Sequence, residues 1–404
     1  MGTLAGVTAE HSAELARDPG RLREALIALD PVAAAHAGEI RVVHAPGRVN
    51  LIGDHTDYNE GFALPAAIDL GISIALVPTD DARVTLTLVD TGETGSFALD
   101  APIERQGGWL DYVRGMAWAL QRTGARPRGF RGLLASDLPQ GSGLSSSAAI
   151  ELSSGWALSG GEAPTMPTLE LVKTVQRAEN GFIGLNNGLM DQYASAFGVA
   201  GDALLLDCRA LTHRAIALPA AVTLVACHSG SPRKLESSAY NERRAQCEAA
   251  VATIQRMAPF VTALRDVTVE LLEEVKPELE EVTYRRARHV LREDALVLQA
   301  VDALEVDDLA TVGELFYASH ASLRDDYAVS SPELDALVEI ALGTPGVIGA
   351  RLTGAGFGGC TINLVHDGAV DALRERVIRE YPGRTGLTPR VFEVHAAPGA
   401  GRLL

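Results

Sequence analysis

Between residues 70 and 100, apolar and polar residues alternate in three short runs, ISIALVP, RVTLTLV and SFALD. Side chains of an extended chain point alternately to opposite faces, so a period of two predicts antiparallel strands joined by turns. Away from this region the spacing becomes helical. SAELARDPGRLREALIALD, residues 109–123 and residues 168–182 carry apolar positions three and four apart, and 238–325 is mainly helical with Arg–Glu combinations on exposed faces. Further strands are predicted in EIRVVHAP, broken at Gly47, and in FRGLLASDLP, ALLLDCRAL and AVTLVACHS. The last sixty residues read strand, glycine-rich loop, strand, helix, strand. Strands and helices are intermixed without strict alternation of parallel units, which predicts an α+β class. A length of 404 residues allows two or three domains, with a division expected near residue 200 into 1–200 and 201–404.

With 47% hydrophobic residues the chain can bury a large core, which excludes wholesale disorder. A formal net charge of −17 with no basic run argues against nucleic acid or an anionic membrane as the main partner. It leaves room for a phosphorylated ligand, which helix ends and a few arginines can bind. Cys208, Cys227, Cys247 and Cys360 show no CxxC spacing, so no zinc site is expected and a reducing cytoplasm fits. No signal peptide and no membrane-spanning run are predicted.

Three polar islands interrupt the apolar pattern. The first is GRVNLIGDHTDYN, residues 47–59, with an arginine, two carboxylates, an imidazole and a phenol. Carboxylates accept from sugar hydroxyls and histidine donates or accepts, so this composition suits a polyhydroxylated ligand; a polar surface loop is the plain alternative. The second is LPQGSGLSSSAA, residues 138–149, leading into a helix that starts near Ser145. Glycines allow close backbone approach, serines cap helix N–H groups, and the helix end favours an anion. This is the composition of a phosphate cradle, although no Walker-type Gly-Lys occurs. The third is LTGAGFGGC, residues 352–360. Gly354, Gly356 and Gly359 match GxGxxG formally, but a strand follows where a dinucleotide fold needs a helix. A glycine-rich turn between strands near an active site fits better.

Taken together, these islands resemble the motifs of the GHMP kinases and, within them, of the galactokinases. GRVNLIGDHTDYNEGFALPAAI is similar to the galactokinase signature, with Asp54 where that signature usually has Glu. LPQGSGLSSSAA is similar to the superfamily ATP motif and TGAGFGGCTINLV to its C-terminal glycine-rich motif. AENGFIGLNNGLMDQYAS, SSAYNERRAQCE and SHASLRDDYAVSSPELDALV extend the resemblance over residues 40 to 365. It implies a mixed-sheet N-terminal domain, an α+β sandwich C-terminal domain and an active site between them. It also implies transfer of the γ-phosphoryl group of ATP to the C1 hydroxyl of α-D-galactose, with Mg²⁺ as metal.

By the same resemblance, Asp191 is the catalytic aspartate, as base or positioner, and Arg48 its electrostatic partner. Asp54, His55, Asp57, Gly188 and Tyr240 correspond to sugar-binding positions. Gly141, Ser142, Gly143, Leu144, Ser145, Ser146 and Ser147 would cradle the triphosphate, and Ser147 and Glu179 would hold the metal, with Ser146 an open alternative to Ser147. A kinase for N-acetylgalactosamine or arabinose and a non-catalytic galactose sensor remain alternatives. The expected partners are galactose and ATP, with no nucleic acid and no membrane, for a cytoplasmic monomer.

Overall fold

The computed structural model describes residues 8–139, 141–231 and 236–404. Along the chain the strands are β1 (Arg41–Asn50), β2 (Phe62–Ala63), β3 (Pro65–Thr79), β4 (Arg83–Leu88), β5 (Thr94–Ala98), β6 (Gly129–Ser136) and β7 (Asp202–Asp207). They continue as β8 (Thr212–Ala217), β9 (Val222–His228), β10 (Val347–Thr353), β11 (Cys360–His366), β12 (Arg390–Val394) and β13 (Gly401–Arg402). One sheet has the order β13-β1-β3-β6-β4-β5, a second β10-β11-β9-β12, and a third β2-β7-β8. The first sheet is mixed, because β4 runs parallel to β6 while its other pairings are antiparallel. The architecture is the predicted mixture of helices and mainly antiparallel strands.

The central strand β3 is covered on both faces. Ile72, Ile74 and Leu76 belong to the main core, whereas Ala75 and Val77 pack under the N-terminal helices Ala9–Arg17 and Pro19–Leu29 with Leu15, Leu22 and Leu26. A short third helix, Pro31–Ala35, follows them, and the single helical run predicted in SAELARDPGRLREALIALD is itself split into these two helices. Asp18 divides them: its side chain accepts from Arg21 N at 3.0 Å, and Pro19 starts the second helix, where a missing N–H costs nothing.

The break expected at Gly47 does not occur: β1 continues to Asn50 with a register shift between Pro46 and Arg48. A Cβ at Gly47 would lie 2.5 Å from Leu144 O, so glycine lets the second island rest directly on β1. That contact turns the following residue, Arg48, toward the cleft.

Two features cross the expected division at residue 200. β7 and β8 complete a sheet begun by β2, and β13 returns from the chain end to pair with β1. The 25-residue helix Glu281–Glu305 also joins two clusters: Val297, Ala300 and Val301 lie in the main core, and Tyr284, Ala287 and Val290 in a second one.

Candidate active site

A cleft of about 490 Å³ opens where the end of β1, the helices Ser146–Leu158 and Met190–Phe197, and the β10–β11 turn converge. It is lined by Arg48, Asp54, His55, Asp57, Gly141, Gly143, Ser145, Ser146, Ser147, Glu179, Gly188, Asp191 and Tyr240 among others. Of the expected site residues, only Ser142 and Leu144 are not part of the lining. Both are buried within the loop, where Leu144 joins the main core and its carbonyl accepts from Arg48 N at 3.1 Å.

Asp191 lies in the first turn of the helix Met190–Phe197, where the helix dipole favours a negative charge. Arg48 Nε and Nη2 approach its Oδ1 at 2.9 and 2.7 Å, and Arg48 Nη1 donates to Gly143 O at 2.6 Å. The other oxygen, Oδ2, accepts from the Ser145 hydroxyl. Ser145 was expected in the triphosphate cradle, in a loop whose serines suit helix capping. It precedes the helix Ser146–Leu158 with φ 60°, makes no capping bond, and its side chain is turned to Asp191 instead. The physical reason is direction: in the left-handed conformation the hydroxyl leaves the helix axis.

Asp54 is buried. Its Oδ1 accepts from Gly354 N at 3.1 Å, on the third island. Arg351 Nη2 lies 2.7 Å from Oδ2 but off the N–H axis, so this is a charge contact and Oδ2 keeps free acceptor capacity. Burial pushes the Asp54 carboxyl up, against the pull of the Arg351 charge. Arg351 is itself completely buried. It donates to Asn50 O, Leu51 O and Ser319 Oγ at 3.2, 3.0 and 3.0 Å and lies 3.3 Å from Glu293 Oε1, which also accepts from Gly53 N. Removing one member of such a buried set costs about 3–5 kcal/mol, because it strands a charge.

Burial pushes His55 down to about 3, so the ring is neutral. Its Nε2 faces Ala355 O at 3.2 Å, an acceptor only, so Nε2 carries the proton. Nδ1 then accepts from Tyr58 at 2.9 Å, Tyr58 from Tyr327 at 2.6 Å, and Tyr327 from the Cys247 thiol at 3.2 Å. Both ring nitrogens are thus engaged within the protein.

Asp57 is raised to about 6 by desolvation and then by the charge of Asp191. Gly188 lies directly against it: a Cβ there would fall 1.9 Å from Asp57 Oδ2. The Gly188 N–H also faces the Tyr240 oxygen, whose hydroxyl burial holds in the neutral form.

Glu179 sits in a π-helical turn, Glu179–Ile183, following the helix Thr168–Ala178. Such turns break the regular ladder and redirect one side chain. Glu179 Oε2 accepts from Asn187 at 2.5 Å and from Gln192, while Oε1 is buried without a hydrogen-bond partner. Burial raises this carboxyl, and Asn187 and Ser147 oppose the shift.

Residues 34–78 match the galactokinase galactose-binding signature, residues 111–199 the N-terminal domain of GHMP kinases and residues 300–383 their C-terminal domain. Over 363 residues the chain is 44% identical to a galactokinase of Roseiflexus sp. (strain RS-1), covering 90% of this chain and 93% of that one. The chain belongs to the galactokinases. It is a sugar kinase, a transferase that uses ATP. The crystal structure of Lactococcus lactis galactokinase complexed with galactose superposes with a TM-score of 0.87 at 36% identity, over 94% of this chain and all of that one. Mevalonate kinase of Methanococcus jannaschii shares the fold, with a TM-score of 0.60 at 21% identity over 88% of this chain and 98% of that one.

For this galactokinase, sequence reasoning missed several residues at the cleft. Tyr112, Leu185, Asn187, Met190, Gly354 and Ala355 also line it. Gly354 and Ala355 belong to the glycine-rich island, whose place near an active site was legible although no residue in it was nominated. Asn187 lies in the GLNNGLMDQ segment beside Gly188. Tyr112, on the helix Leu110–Arg122, carried no local signal. Among the described residues no helix is long and apolar enough to cross a membrane.

Proposed function

We propose that this cleft phosphorylates α-D-galactose at its C1 hydroxyl from ATP, giving galactose 1-phosphate and ADP. The observation that carries the reading is Asp191, held on one oxygen by Arg48 and on the other by Ser145 in a cleft lined by the galactose-binding signature. Placed beside the C1 hydroxyl, this carboxylate orients the oxygen and accepts its proton as phosphorus is attacked. A loose transition state asks little of the base, so much of its contribution is positioning. Arg48 stabilises charge on the transferring group.

Asp54 and Asp57 would accept from sugar hydroxyls, and Tyr240 closes the pocket. His55, with both ring nitrogens engaged, would offer its backbone N–H. Gly188 serves by leaving room for Asp57. Gly141, Gly143 and the start of the helix Ser146–Leu158 would face the triphosphate, since no side chain caps those N–H groups.

The donor set at Glu179 and Ser147 fits Mg²⁺. Glu179 Oε1 is a buried oxygen without a hydrogen-bond partner, and Ser147 lies beside the same carboxylate. Among the described residues no cluster of three or more His, Cys, Asp or Glu side chains could hold an ion. Two protein oxygens with phosphate and water ligands suit magnesium, which supplies charge neutralisation to the phosphates when bound. The four buried cysteines, which form no disulfide, support a cytoplasmic enzyme, and a monomer is the simplest assembly for a cleft complete within one chain.

The test is ATP-dependent phosphorylation of galactose, N-acetylgalactosamine and arabinose, with the product position read by phosphorus NMR. Galactose is expected to be used best, at C1. Preference for another sugar, or no turnover, would overturn the reading in favour of another sugar kinase or a sensor.

A further inference from the structure

The geometry points to Ser145 as a positioning residue for Asp191, not a helix cap or a phosphate ligand. This rests on the reading of Asp191 as the group beside the acceptor hydroxyl.

Three independent features of the loop converge on that role. Ser145 has φ 60°, a conformation that L-residues avoid because Cβ crowds the following carbonyl. Its neighbours Gly141 and Gly143 take positive φ at no such cost, yet the third position of this kind is a serine. Its hydroxyl makes none of the capping bonds its place in the chain offers. Instead, the buried side chain donates to Asp191 Oδ2, forty-six residues away in sequence. Strained backbone persists where surrounding structure holds it, commonly at functional sites.

The consequence follows from carboxylate geometry. Arg48 brings Nε and Nη2 to the same oxygen, Oδ1. Two donors on one oxygen hold that atom in place but leave the carboxylate free to pivot about it. A donor on Oδ2 removes the pivot and fixes the plane of the group. Reacting groups misplaced by about 1 Å lose roughly 100-fold in rate, so a pivoting carboxylate slows the chemical step while substrate binding is little changed.

The test uses the full-length chain as wild type, Ser145→Ala, Ser145→Gly, Asp191→Asn and Ser145→Gly/Asp191→Asn. Initial rates are measured against ATP and against galactose, with thermal melts of each variant. Ser145→Gly takes φ 60° without strain, so it removes the hydroxyl without burdening the backbone. The expected result is a kcat lowered roughly 10- to 100-fold in both serine variants. The KM for ATP stays within about threefold of wild type, and Ser145→Gly melts no earlier than wild type. In the Asp191→Asn background, Ser145→Gly adds no further loss, because the partner it positions is already disabled.

A Ser145→Gly enzyme with near wild-type kcat, beside a crippled Asp191→Asn, would overturn the positioning role alone. So would a raised KM for ATP with kcat retained, the mark of a phosphate ligand, or an undiminished loss in the Asp191→Asn background. Near wild-type turnover by Asp191→Asn would overturn the reading of Asp191 itself, and the role of Ser145 with it.

Discussion

Replacing Gly188 by alanine adds one methyl group at the point where two parts of the galactose pocket touch. The added carbon would fall 1.9 Å from Asp57 Oδ2, 2.2 Å from its Cγ and 2.9 Å from Oδ1. Gly188 does not have a positive φ, so alanine strains nothing in the backbone, and the whole effect falls on Asp57. Carbon and oxygen settle at about 3.4 Å, so Oδ2 must retreat by about 1.5 Å. A hydrogen bond survives shifts of only a few tenths of an ångström. The charge-assisted bond proposed from Asp57 to the sugar is then lost, worth about 1.5–3 kcal/mol, or roughly 10- to 150-fold in kcat/KM. Oδ2 also accepts from Met190 N at 3.4 Å, a long bond that the shift breaks, so Tm is expected to fall by about 2 °C. The assay is ADP release with galactose varied at saturating ATP and the reverse, repeated in Asp57→Asn. Loss is expected in kcat/KM for galactose, with the KM for ATP unchanged and little further loss in the Asp57→Asn background. A galactose kcat/KM within twofold of wild type, or a defect confined to ATP, would refute the steric argument.

Three more outcomes are expected. Glu179→Gln removes the buried charge at the proposed magnesium position and should raise the Mg²⁺ concentration for half-maximal rate about tenfold or more; an unchanged titration excludes Glu179 as a ligand. Asp54 is about 1.3–1.5 Å shorter than the glutamate usual in the family and is drawn to Arg351 and Gly354. The family resemblance implies that this carboxylate faces the C6 hydroxyl of the sugar, so discrimination against 6-deoxygalactose should rise in Asp54→Glu; an equal or lower ratio of kcat/KM values removes the idea. Asp57, raised to about 6, gains a proton as pH falls through that value and ceases to be an acceptor. Galactose kcat/KM should decline below about pH 6, and this limb should be absent in Asp57→Asn. The stability term has the opposite sense: the native state holds this proton more tightly than the unfolded one, so the contribution worsens as pH rises between about 4 and 6.

Chemistry and order along the chain were local properties, and they were readable. The residue types in GRVNLIGDHTDYN and LPQGSGLSSSAA suit a sugar and a phosphate loop but suit a surface loop and a capped helix as well; the resemblance to the galactokinases decided between these readings and pointed to Asp191 in GLMDQ. The strands of residues 70–100 were readable because a period of two survives in much of β4 and β5. The two-faced burial of β3 was not, since it depends on helices placed more than forty residues earlier. Asp18 could have announced the break in the first helical run, being an N-cap residue just before Pro19.

What only the tertiary structure decided is who touches whom. Ser145 reads as part of a phosphate cradle in sequence, and its hydroxyl bonds Asp191; Gly188 reads as a sugar contact, and in the fold it also lies against Asp57. His55 reads as a sugar-binding residue whose ring donates or accepts, and a chain through Tyr58, Tyr327 and Cys247 occupies one nitrogen while Ala355 occupies the other. Arg351 and Glu293, which anchor Asp54 and Gly53, lie some 300 and 240 residues away and carry no local signature. Hydrogen bonds reach only about 3 Å, so a polar residue's role is set by the neighbours that folding brings within that distance. The sequence by itself named the donors, the acceptors and the turns. The packing of β1 against the second island at Gly47, and of the β10–β11 turn over Asp54, chose which of them meet.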